Sequence, residues 1–324
     1  MRAIVVERPG GPEALALREV EDLPLGPGEI RIRVAAAGVN RADVAQREGE
    51  YPSPPGAPEW PGLEVSGTVS EVGAGVDRFG AGDEVCALLA GGGYAEEVVV
   101  DAQMALPVPE GVGLVEAAAL PEVVATVWSN LFRSAEVGAG DVVLVHGGAS
   151  GVGSMAIQMA RLAGARVATT AGSAEKLAFC AGLGAETLIN YREEDFAERI
   201  AETYPGGADV ILDIVGGANA SANIRALATD GILVVIANQS GERMSFNPFA
   251  LMMKRGRLWG TTLRARPVAE KRAIVADMGR RLWPAFASGA LRPVVDSVLP
   301  FSRAADAHRR MEASEHVGKI LLTP

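Results

Sequence analysis

The sequence predicts an α/β protein of two domains: a compact β-barrel-like domain of short strands, and a domain built on a doubly wound parallel sheet. The 324 residues are enough for two hydrophobic cores. Short apolar runs separated by Gly and Pro fill the first part of the chain, whereas strand-like and helix-like segments alternate after Glu116. In addition, a glycine-rich turn joins one of these strands directly to a helix, as in dinucleotide-binding domains.

The glycine-rich turn reads Gly-Gly-Ala-Ser-Gly-Val-Gly at residues 147–153. The apolar run before it, Val142 to Val145, has the length and β-branched content of a buried strand, and good helix formers follow it as far as Gly164. Glycines let the backbone approach a phosphate closely, and the start of a helix presents free N–H groups to it. We therefore predict that a dinucleotide diphosphate binds here, with Ser150 at the position of the motif's middle glycine. The predicted binding residues are Gly148, Ser150, Gly151, Val152 and Gly153.

The second part of the chain repeats a strand followed by a helix. The predicted strands are 142–145, 166–170, 187–189, 209–215, 231–237 and 257–262. This alternation is typical of a doubly wound parallel sheet. Residues 269–288 are predicted as one long helix with Pro284 near its end, and the tail could return to the first domain through strands around a short helix at 302–313.

The first part of the chain is predicted to be mostly strands and loops. The runs 3–6, 29–35, 65–72, 83–89 and 94–100 have strand-like patterns. Residues 52–58 are too rich in proline for regular structure, so we expect a surface loop that forms, beside Tyr51, one wall of a cleft.

Composition excludes several kinds of partner and location. The net charge of −10 and the isoelectric point near 5.0 argue against a nucleic-acid or anionic-membrane partner. The first ten residues carry charges among few apolar residues, unlike a signal peptide, and no apolar run is long enough to span a bilayer. Two cysteines, Cys86 and Cys180, cannot form a disulfide framework. We therefore expect a cytoplasmic protein.

The predicted second strand of the parallel sheet indicates which dinucleotide binds. In NAD-binding units this strand usually ends in Asp or Glu, but here it is followed by Ala171, Gly172 and Ser173. A carboxylate close to a 2′-phosphate would cost about 4 kcal/mol at an intermediate dielectric. The start of a helix at Gly172 and Ser173, followed by Lys176, favours the phosphate instead. We predict NADPH, with Tyr191 also at this end of the cofactor; the alternative for Lys176 is a solvated surface lysine.

The whole chain resembles the zinc-free quinone oxidoreductase branch of the medium-chain dehydrogenase/reductase superfamily. The matching blocks, besides the glycine turn, are 38–43, 61–67, 82–85, 92–96 and 317–320. Segments 46–51 and 190–196 are most similar to its tumour-suppressor-induced, zeta-crystallin-like members. The resemblance implies a GroES-like barrel from residues 1–122 and 266–324, a Rossmann domain from 123–265, and a cofactor in the cleft between them. It also implies a homodimer formed through the Rossmann sheet, with 257–262 as the edge strand.

Zinc-dependent members of this superfamily carry Cys where this chain has Asn40, and Gly-His-Glu where it has Gly62, Leu63 and Glu64. Asn and Leu do not supply the imidazole or thiolate ligands that Zn²⁺ requires. The three histidines form no ligand spacing, so the sequence predicts a protein without metal.

Without a Lewis acid, an electron-poor acceptor is expected, and the resemblance implies an NADPH-dependent quinone reductase. Asn40 and Tyr51 are the predicted donors to the acceptor oxygen; the alternatives are a loop or ribose contact for Asn40 and packing for Tyr51. By family position Thr126 and the loop carrying Asn238 and Ser240 should lie near the nicotinamide; the alternative for Thr126 is packing within a helix. Phe246 is predicted either to cover the cofactor or to pack in the core. Two other functions stay open: an NADPH-dependent reductase of enones or enoyl compounds (activated C=C), and a structural NADPH-binding protein without turnover.

Overall fold

The computed structural model describes residues 1–324, which form two compact units. The barrel unit comprises Met1–Ala125 and Leu263–Pro324, and the Rossmann unit comprises Thr126–Thr262. The fifteen strands are β1 Arg2–Val6, β2 Leu15–Glu19, β3 Glu29–Gly38, β4 Glu64–Val72, β5 Glu84–Leu88, β6 Glu97–Asp101, β7 Ala105–Pro107, β8 Val142–His146, β9 Arg166–Ala171, β10 Thr187–Asn190, β11 Ala208–Asp213, β12 Leu227–Val235, β13 Arg257–Gly260, β14 Val295–Pro300 and β15 Lys319–Thr323.

Ten α-helices accompany the strands. They are α1 Arg41–Glu48, α2 Pro121–Val127, α3 Gly151–Leu162, α4 Ala174–Leu183, α5 Phe196–Thr203, α6 Ala220–Ala226, α7 Pro248–Met253, α8 Val268–Arg281, α9 Trp283–Ala287 and α10 Ala304–Glu312. A π-helical segment, Trp128–Ser134, directly follows α2. None of the helices is long and apolar enough to cross a membrane.

The barrel unit is built on a seven-stranded, mostly antiparallel sheet. Its strand order is β14-β15-β3-β4-β5-β7, and β6 also pairs with β3. The long strand β3 alternates buried and more exposed residues, so that Ile30, Ile32 and Val34 point into the core. The tail returns to this sheet, because β15 pairs antiparallel with β3 through Leu321 and Leu322.

The Rossmann unit has a six-stranded parallel sheet in the order β10-β9-β8-β11-β12-β13. Numbered within the unit, this is the order 3-2-1-4-5-6 of dinucleotide-binding folds. The central strand β8 is entirely buried, as expected for a parallel strand with helices on both faces. The predicted fold class, a GroES-like barrel with a Rossmann domain, is therefore confirmed.

Some predicted elements differ from the structure. The segment 269–288 is not one helix: α8 ends at Arg281 and α9 begins at Trp283. Pro284 lacks the N–H that would continue the hydrogen-bond ladder, but it fits the first turn of a new helix. The sequence pattern of residues 193–204 predicts a helix after the strand 187–189, but α5 begins only at Phe196, because Asp195 Oδ1 accepts hydrogen bonds from the first free N–H groups of α5.

Candidate active site

The glycine turn has the geometry of an anion-binding site. Ser150 precedes α3, and its Oγ accepts a hydrogen bond from Gly153 N at 3.0 Å, which caps the helix. The N–H groups of Gly151 and Val152, in the first turn of α3, have no partner within the helix. They are therefore available to a phosphate, together with the positive end of the helix dipole.

Two of the predicted glycines are required by close packing. A Cβ added to Gly153 would lie 2.3 Å from Gly147 O, so α3 could not approach the turn. A Cβ added to Gly148 would lie 2.0 Å from Thr169 Oγ1 on β9. Gly147 itself has a φ of 66°, in the left-handed region that favours glycine.

The predicted 2′-phosphate position lies where β9 ends. Ser173 Oγ accepts a hydrogen bond from Lys176 N at 3.3 Å and so caps α4. Gly172 faces Tyr191, since an added Cβ would lie 2.6 Å from Tyr191 Oη and 3.2 Å from Arg192 Nε. The structure therefore brings a helix start, an exposed tyrosine and an arginine to this position. Arg192 did not appear among the predicted binding residues, although its place beside Tyr191 in the sequence was a usable signal.

A buried polar network that the sequence did not reveal lies at the carboxyl ends of β8 and β11. His146 Nε2 lies 2.8 Å from Asn223 Oδ1 and therefore donates to it, and Asn223 Nδ2 donates to Asp213 Oδ2 at 2.9 Å. Asp213 also accepts hydrogen bonds from the N–H groups of Val215 and Gly216. Burial lowers the pKa of His146, so the imidazole is neutral and positions the loop after β11.

The loop after β12 is held by its own side chains. Asn238 Oδ1 accepts hydrogen bonds from Gly217 N at 3.0 Å and from Ser240 Oγ at 3.1 Å, and Asn238 Nδ2 donates to Glu242 O. These contacts tie the loop after β12 to the loop after β11. Phe246 packs against the core cluster of the Rossmann unit. Thr126 is buried, and its carbonyl accepts a hydrogen bond from Asn130 Nδ2 at 2.8 Å.

In the barrel unit, Asn40 belongs to a buried ionic network. The Lys319 ammonium donates to Asn40 Oδ1 at 2.6 Å, to Val39 O at 2.8 Å and to Glu64 Oε1 at 2.6 Å. Asn40 Nδ2 also donates to Glu64 Oε1, at 3.0 Å, and the other oxygen of Glu64 accepts from Glu122 N. Both the oxygen and the nitrogen of the Asn40 amide are therefore hydrogen-bonded, which fixes the orientation of the side chain.

This network does not fit a zinc ion. At the two positions where the sequence resemblance predicts thiolate and imidazole ligands in zinc-dependent proteins, this chain has the Asn40 amide and the buried, apolar Leu63. The remaining acidic group, Glu64, is fully buried and already paired with Lys319, so the cation at this position is an ammonium. No group of three or more His, Cys, Asp or Glu side chains in the chain is arranged to hold a metal ion.

Tyr51 is a predicted catalytic residue whose hydroxyl has no hydrogen-bond partner within the protein. Its side chain is partly buried, and the Arg264 guanidinium lies 5.3 Å from the ring centre. Its hydroxyl makes no hydrogen bond, and burial together with the Glu122 charge raises its pKa, although Arg264 opposes this. Tyr51 is therefore protonated at neutral pH and can donate a hydrogen bond.

Comparison with known proteins agrees with the geometry of both units. Residues 26–110 match the family described as alcohol dehydrogenase GroES-like domain, and residues 151–278 match zinc-binding dehydrogenase. The chain belongs to the medium-chain dehydrogenase/reductase superfamily, as its sequence motifs predicted.

Within this superfamily the chain is similar to quinone oxidoreductases. It is 33% identical to the quinone oxidoreductase of Rattus norvegicus over 99% of this chain and 97% of that protein. The crystal structure of Escherichia coli quinone oxidoreductase complexed with NADPH has a TM-score of 0.88 and 32% identity, with both chains fully covered. The structure of CurK enoyl reductase has a TM-score of 0.88 and 27% identity, covering 99% of this chain and 98% of that one.

Some relatives are much longer than this chain. A mycocerosic acid synthase-like polyketide synthase of Mycobacterium tuberculosis is 33% identical over 98% of this chain, but the match spans only 15% of the polyketide synthase.

Proposed function

We propose that this protein is an NADPH-dependent oxidoreductase that transfers hydride to a quinone without a metal ion. The observation that carries the proposal is the contrast between two side chains of the barrel unit. Tyr51 has a protonated hydroxyl without a partner in the protein, whereas Asn40, at the position of a zinc ligand in the zinc-dependent proteins that the sequence resembles, accepts a hydrogen bond from the Lys319 ammonium. A hydrogen-bond donor without a strong Lewis acid suits an acceptor that is already electron-poor.

The Rossmann unit supplies the residues that would bind NADPH. The N–H groups of Gly151 and Val152, with the Ser150 cap, would bind the diphosphate. Ser173, Lys176, Tyr191 and Arg192 would surround the 2′-phosphate. Bound NADPH supplies the hydride, and the solved NADPH complex of the E. coli relative supports this choice of cofactor. At the other end of the cofactor, the nicotinamide would lie near Thr126, Asn238 and Ser240. Phe246 would cover the cofactor there.

The choice of NADPH is tested by replacing Lys176. We expect NADPH to have a clearly lower KM than NADH, and Lys176→Ala to remove most of the difference, because an ionic hydrogen bond to phosphate contributes about 1.5–3 kcal/mol. The control is Arg199→Ala, which removes an exposed arginine of the same unit that pairs with Glu194 and Glu202. Equal KM values for the two cofactors in the wild-type protein would contradict the proposal.

In the barrel unit, Tyr51 would donate its hydroxyl proton in a hydrogen bond to an oxygen of the acceptor. Negative charge develops on this oxygen as hydride arrives, so the donor stabilises the transition state more than the ground state. Because the hydroxyl has no partner within the protein, the acceptor does not have to displace one. Asn40 would hold the surrounding backbone through its bonds to Glu64 and Lys319.

The acceptor is tested with ortho- and para-quinones and enones, with NADPH consumption followed by its absorbance. We expect turnover of quinones, and we expect Tyr51→Phe to lower kcat about a hundredfold, as for the loss of one oxyanion donor. Tyr204→Phe, which removes the buried tyrosine hydroxyl bonded to Thr187 in the Rossmann unit, controls for the general effect of losing a tyrosine hydroxyl and should leave kcat unchanged. An unchanged kcat in Tyr51→Phe would remove Tyr51 from the mechanism.

Reduction of an activated C=C bond is the second candidate function. It is favoured by the similarity of the whole chain to CurK enoyl reductase, and it would use the same hydride and the same donor. If enones turn over about a hundredfold faster than every quinone, an advantage of about 2.7 kcal/mol, this function replaces the first. Tight NADPH binding with no turnover of either class would instead indicate a structural NADPH-binding protein.

We further propose a cytoplasmic homodimer. Both cysteines are free and buried, which is consistent with a reducing compartment. The edge strand β13 is exposed along its whole length, with Leu258 and Trp259 among the exposed apolar side chains. A second copy of the same edge could cover these residues through a twofold axis.

A further inference from the structure

Arg264 is a buried arginine whose hydrogen-bond acceptors are all uncharged. It is only 5% exposed, and it lies just after the chain re-enters the barrel unit at Leu263. Its Nε donates to Ala90 O at 2.6 Å, its Nη1 to Tyr51 O at 3.2 Å and its Nη2 to Ser53 Oγ at 2.9 Å. Burying a guanidinium without a bonded carboxylate is costly, and burial accordingly lowers the pKa of Arg264. Because burying this charge lowers the stability of the folded protein, we expect Arg264 to contribute to function.

Two of the acceptors of Arg264, Tyr51 O and Ser53 Oγ, belong to the loop that begins at Tyr51. Ser53 Oγ, which accepts from Arg264, donates in turn to Pro58 O at 2.8 Å. It also accepts from Gln46 Nε2 at 3.1 Å, and the same nitrogen of Gln46 donates to Glu59 O at 2.7 Å. One guanidinium and the end of α1 therefore fix both ends of this proline-rich loop.

The same guanidinium lies over the Tyr51 ring, 5.3 Å from its centre, where a cation is attracted to the π-electrons. The backbone of Arg264 is itself held, since the buried Lys271 on α8 donates to Arg264 O at 3.1 Å. Arg264 therefore contacts both the main chain and the ring of Tyr51, and the Tyr51 hydroxyl has no hydrogen bond within the protein. The charged groups that face Tyr51 are Arg264 and Glu122.

We propose that Arg264 is a positioning residue for Tyr51: its guanidinium clamps the 51–59 loop and the ring so that the hydroxyl is held ready to donate to the acceptor. This inference rests on the role proposed for Tyr51 above. A fixed donor loses little conformational freedom when the acceptor binds, whereas a donor on a loose loop would have to be ordered at each turnover.

The kinetic test is a double-mutant cycle of Arg264→Gln and Tyr51→Phe. Arg264→Gln should lower kcat roughly ten- to a hundredfold, as expected for a misplaced catalytic group, while KM for NADPH changes less than about twofold. In the Tyr51→Phe background the same replacement should have almost no further effect on kcat, because Arg264 acts through Tyr51. Arg264→Lys keeps the charge but not the planar fork and should recover only part of the activity. Multiplicative losses in the double variant would overturn the proposal.

A second measurement does not depend on turnover, so it separates this inference from the proposed function. Hydrogen exchange followed by mass spectrometry should show faster exchange in residues 51–59 of Arg264→Gln than of the wild-type protein. Arg272→Gln is the matched control, because Arg272 pairs with Asp101 and has no bond to the loop. Unchanged exchange in Arg264→Gln would overturn the clamp. Faster exchange in a protein that reduces no acceptor would leave the clamp standing and refute the oxidoreductase function.

Discussion

At the scale of single residues, one tyrosine hydroxyl links two buried titratable groups in the barrel unit. Tyr94 Oη donates to Asp43 Oδ2 at 3.2 Å and lies 3.3 Å from His308 Nε2. Burial raises the pKa of Asp43 to about 6, against hydrogen bonds from Asn40 N and Gly62 N that oppose the rise. Burial and the Arg47 charge lower the pKa of His308 to about 3. These residues fix the start of α1, which leads directly to Tyr51.

The low pKa of His308 predicts a stability that depends on pH. The unfolded chain binds a proton at a histidine pKa of about 6.5, whereas the folded protein does not until about pH 3. The contribution of His308 to the free energy of unfolding is therefore fully present above pH 6.5. Below that pH it is lost by about 1.4 kcal/mol per pH unit. Asp43 instead makes the protein more stable as the pH falls from about 6 towards the pKa of an unfolded Asp, because its carboxyl binds a proton more readily in the folded protein. This contribution is the same in the wild type and in the variant described next, so it cancels from the difference between them.

His308→Gln isolates this contribution, because glutamine can still hydrogen-bond to Tyr94 but does not titrate. We expect the variant to be less stable than the wild type at pH 7.5, and the deficit to shrink by about 2 kcal/mol at pH 5. Urea unfolding at the two pH values measures this difference. A deficit that is independent of pH would mean that His308 is not held neutral in the folded protein.

At the scale of elements, the turn from β8 into α3 depends on the absence of a side chain at Gly153. The Cβ of an alanine would lie 2.3 Å from Gly147 O and 2.8 Å from Gly148 Cα, which are backbone atoms that cannot rotate away. The helix and its first N–H groups would therefore have to shift away from the phosphate position.

We expect Gly153→Ala to weaken NADPH binding and to destabilise the protein by about 1–3 kcal/mol, as in other overpacked sites. Gly182→Ala in α4 is the matched control, because a Cβ there meets no atom within 4 Å. It should stabilise the protein by about 0.4–1 kcal/mol, since alanine loses less backbone freedom on folding. NADPH titration and thermal unfolding of both variants measure the contrast; similar behaviour of the two would contradict the packing argument.

At the scale of the whole molecule, the exposed apolar groups of the Rossmann unit are concentrated near its last strand. Leu258 and Trp259 on β13 are 40% and 47% exposed, and Phe249, Met252 and Met253 on α7 are exposed further still. An edge strand with apolar side chains is a ready template for pairing with another copy. This is the surface on which the proposed homodimer depends.

Trp259→Glu tests the proposed homodimer. A charge on the edge strand would have to be buried unpaired in the interface, so we expect the variant to be monomeric, with a mass near 33.6 kDa by light scattering. Val298→Glu is the control, because Val298 is 49% exposed on β14, the edge strand of the barrel unit's sheet. It should leave the wild-type mass unchanged. A dimeric Trp259→Glu, or a monomeric wild type, would refute the interface.

The sequence alone determined the features that are local along the chain. The strand, turn and helix around Gly148–Gly153 could be predicted because apolar, glycine and helix-forming residues follow each other without interruption. The absence of a carboxylate after β9 could also be predicted, because it depends only on the residues that directly follow the strand. The break between α8 and α9 was local too, and Pro284 was its signal; the prediction of one helix gave that proline too little weight.

Only the tertiary structure decided which distant residues meet. Lys319 reaches Asn40, 279 positions away, because β15 pairs with β3. The positions of these two residues in the sequence do not indicate that their strands pair. Arg264 reaches Tyr51, 213 positions away, because the chain leaves the barrel unit and returns to it. Hydrophobic periodicity specifies which face of an element is buried, but the partner that covers that face is chosen by packing of the whole chain.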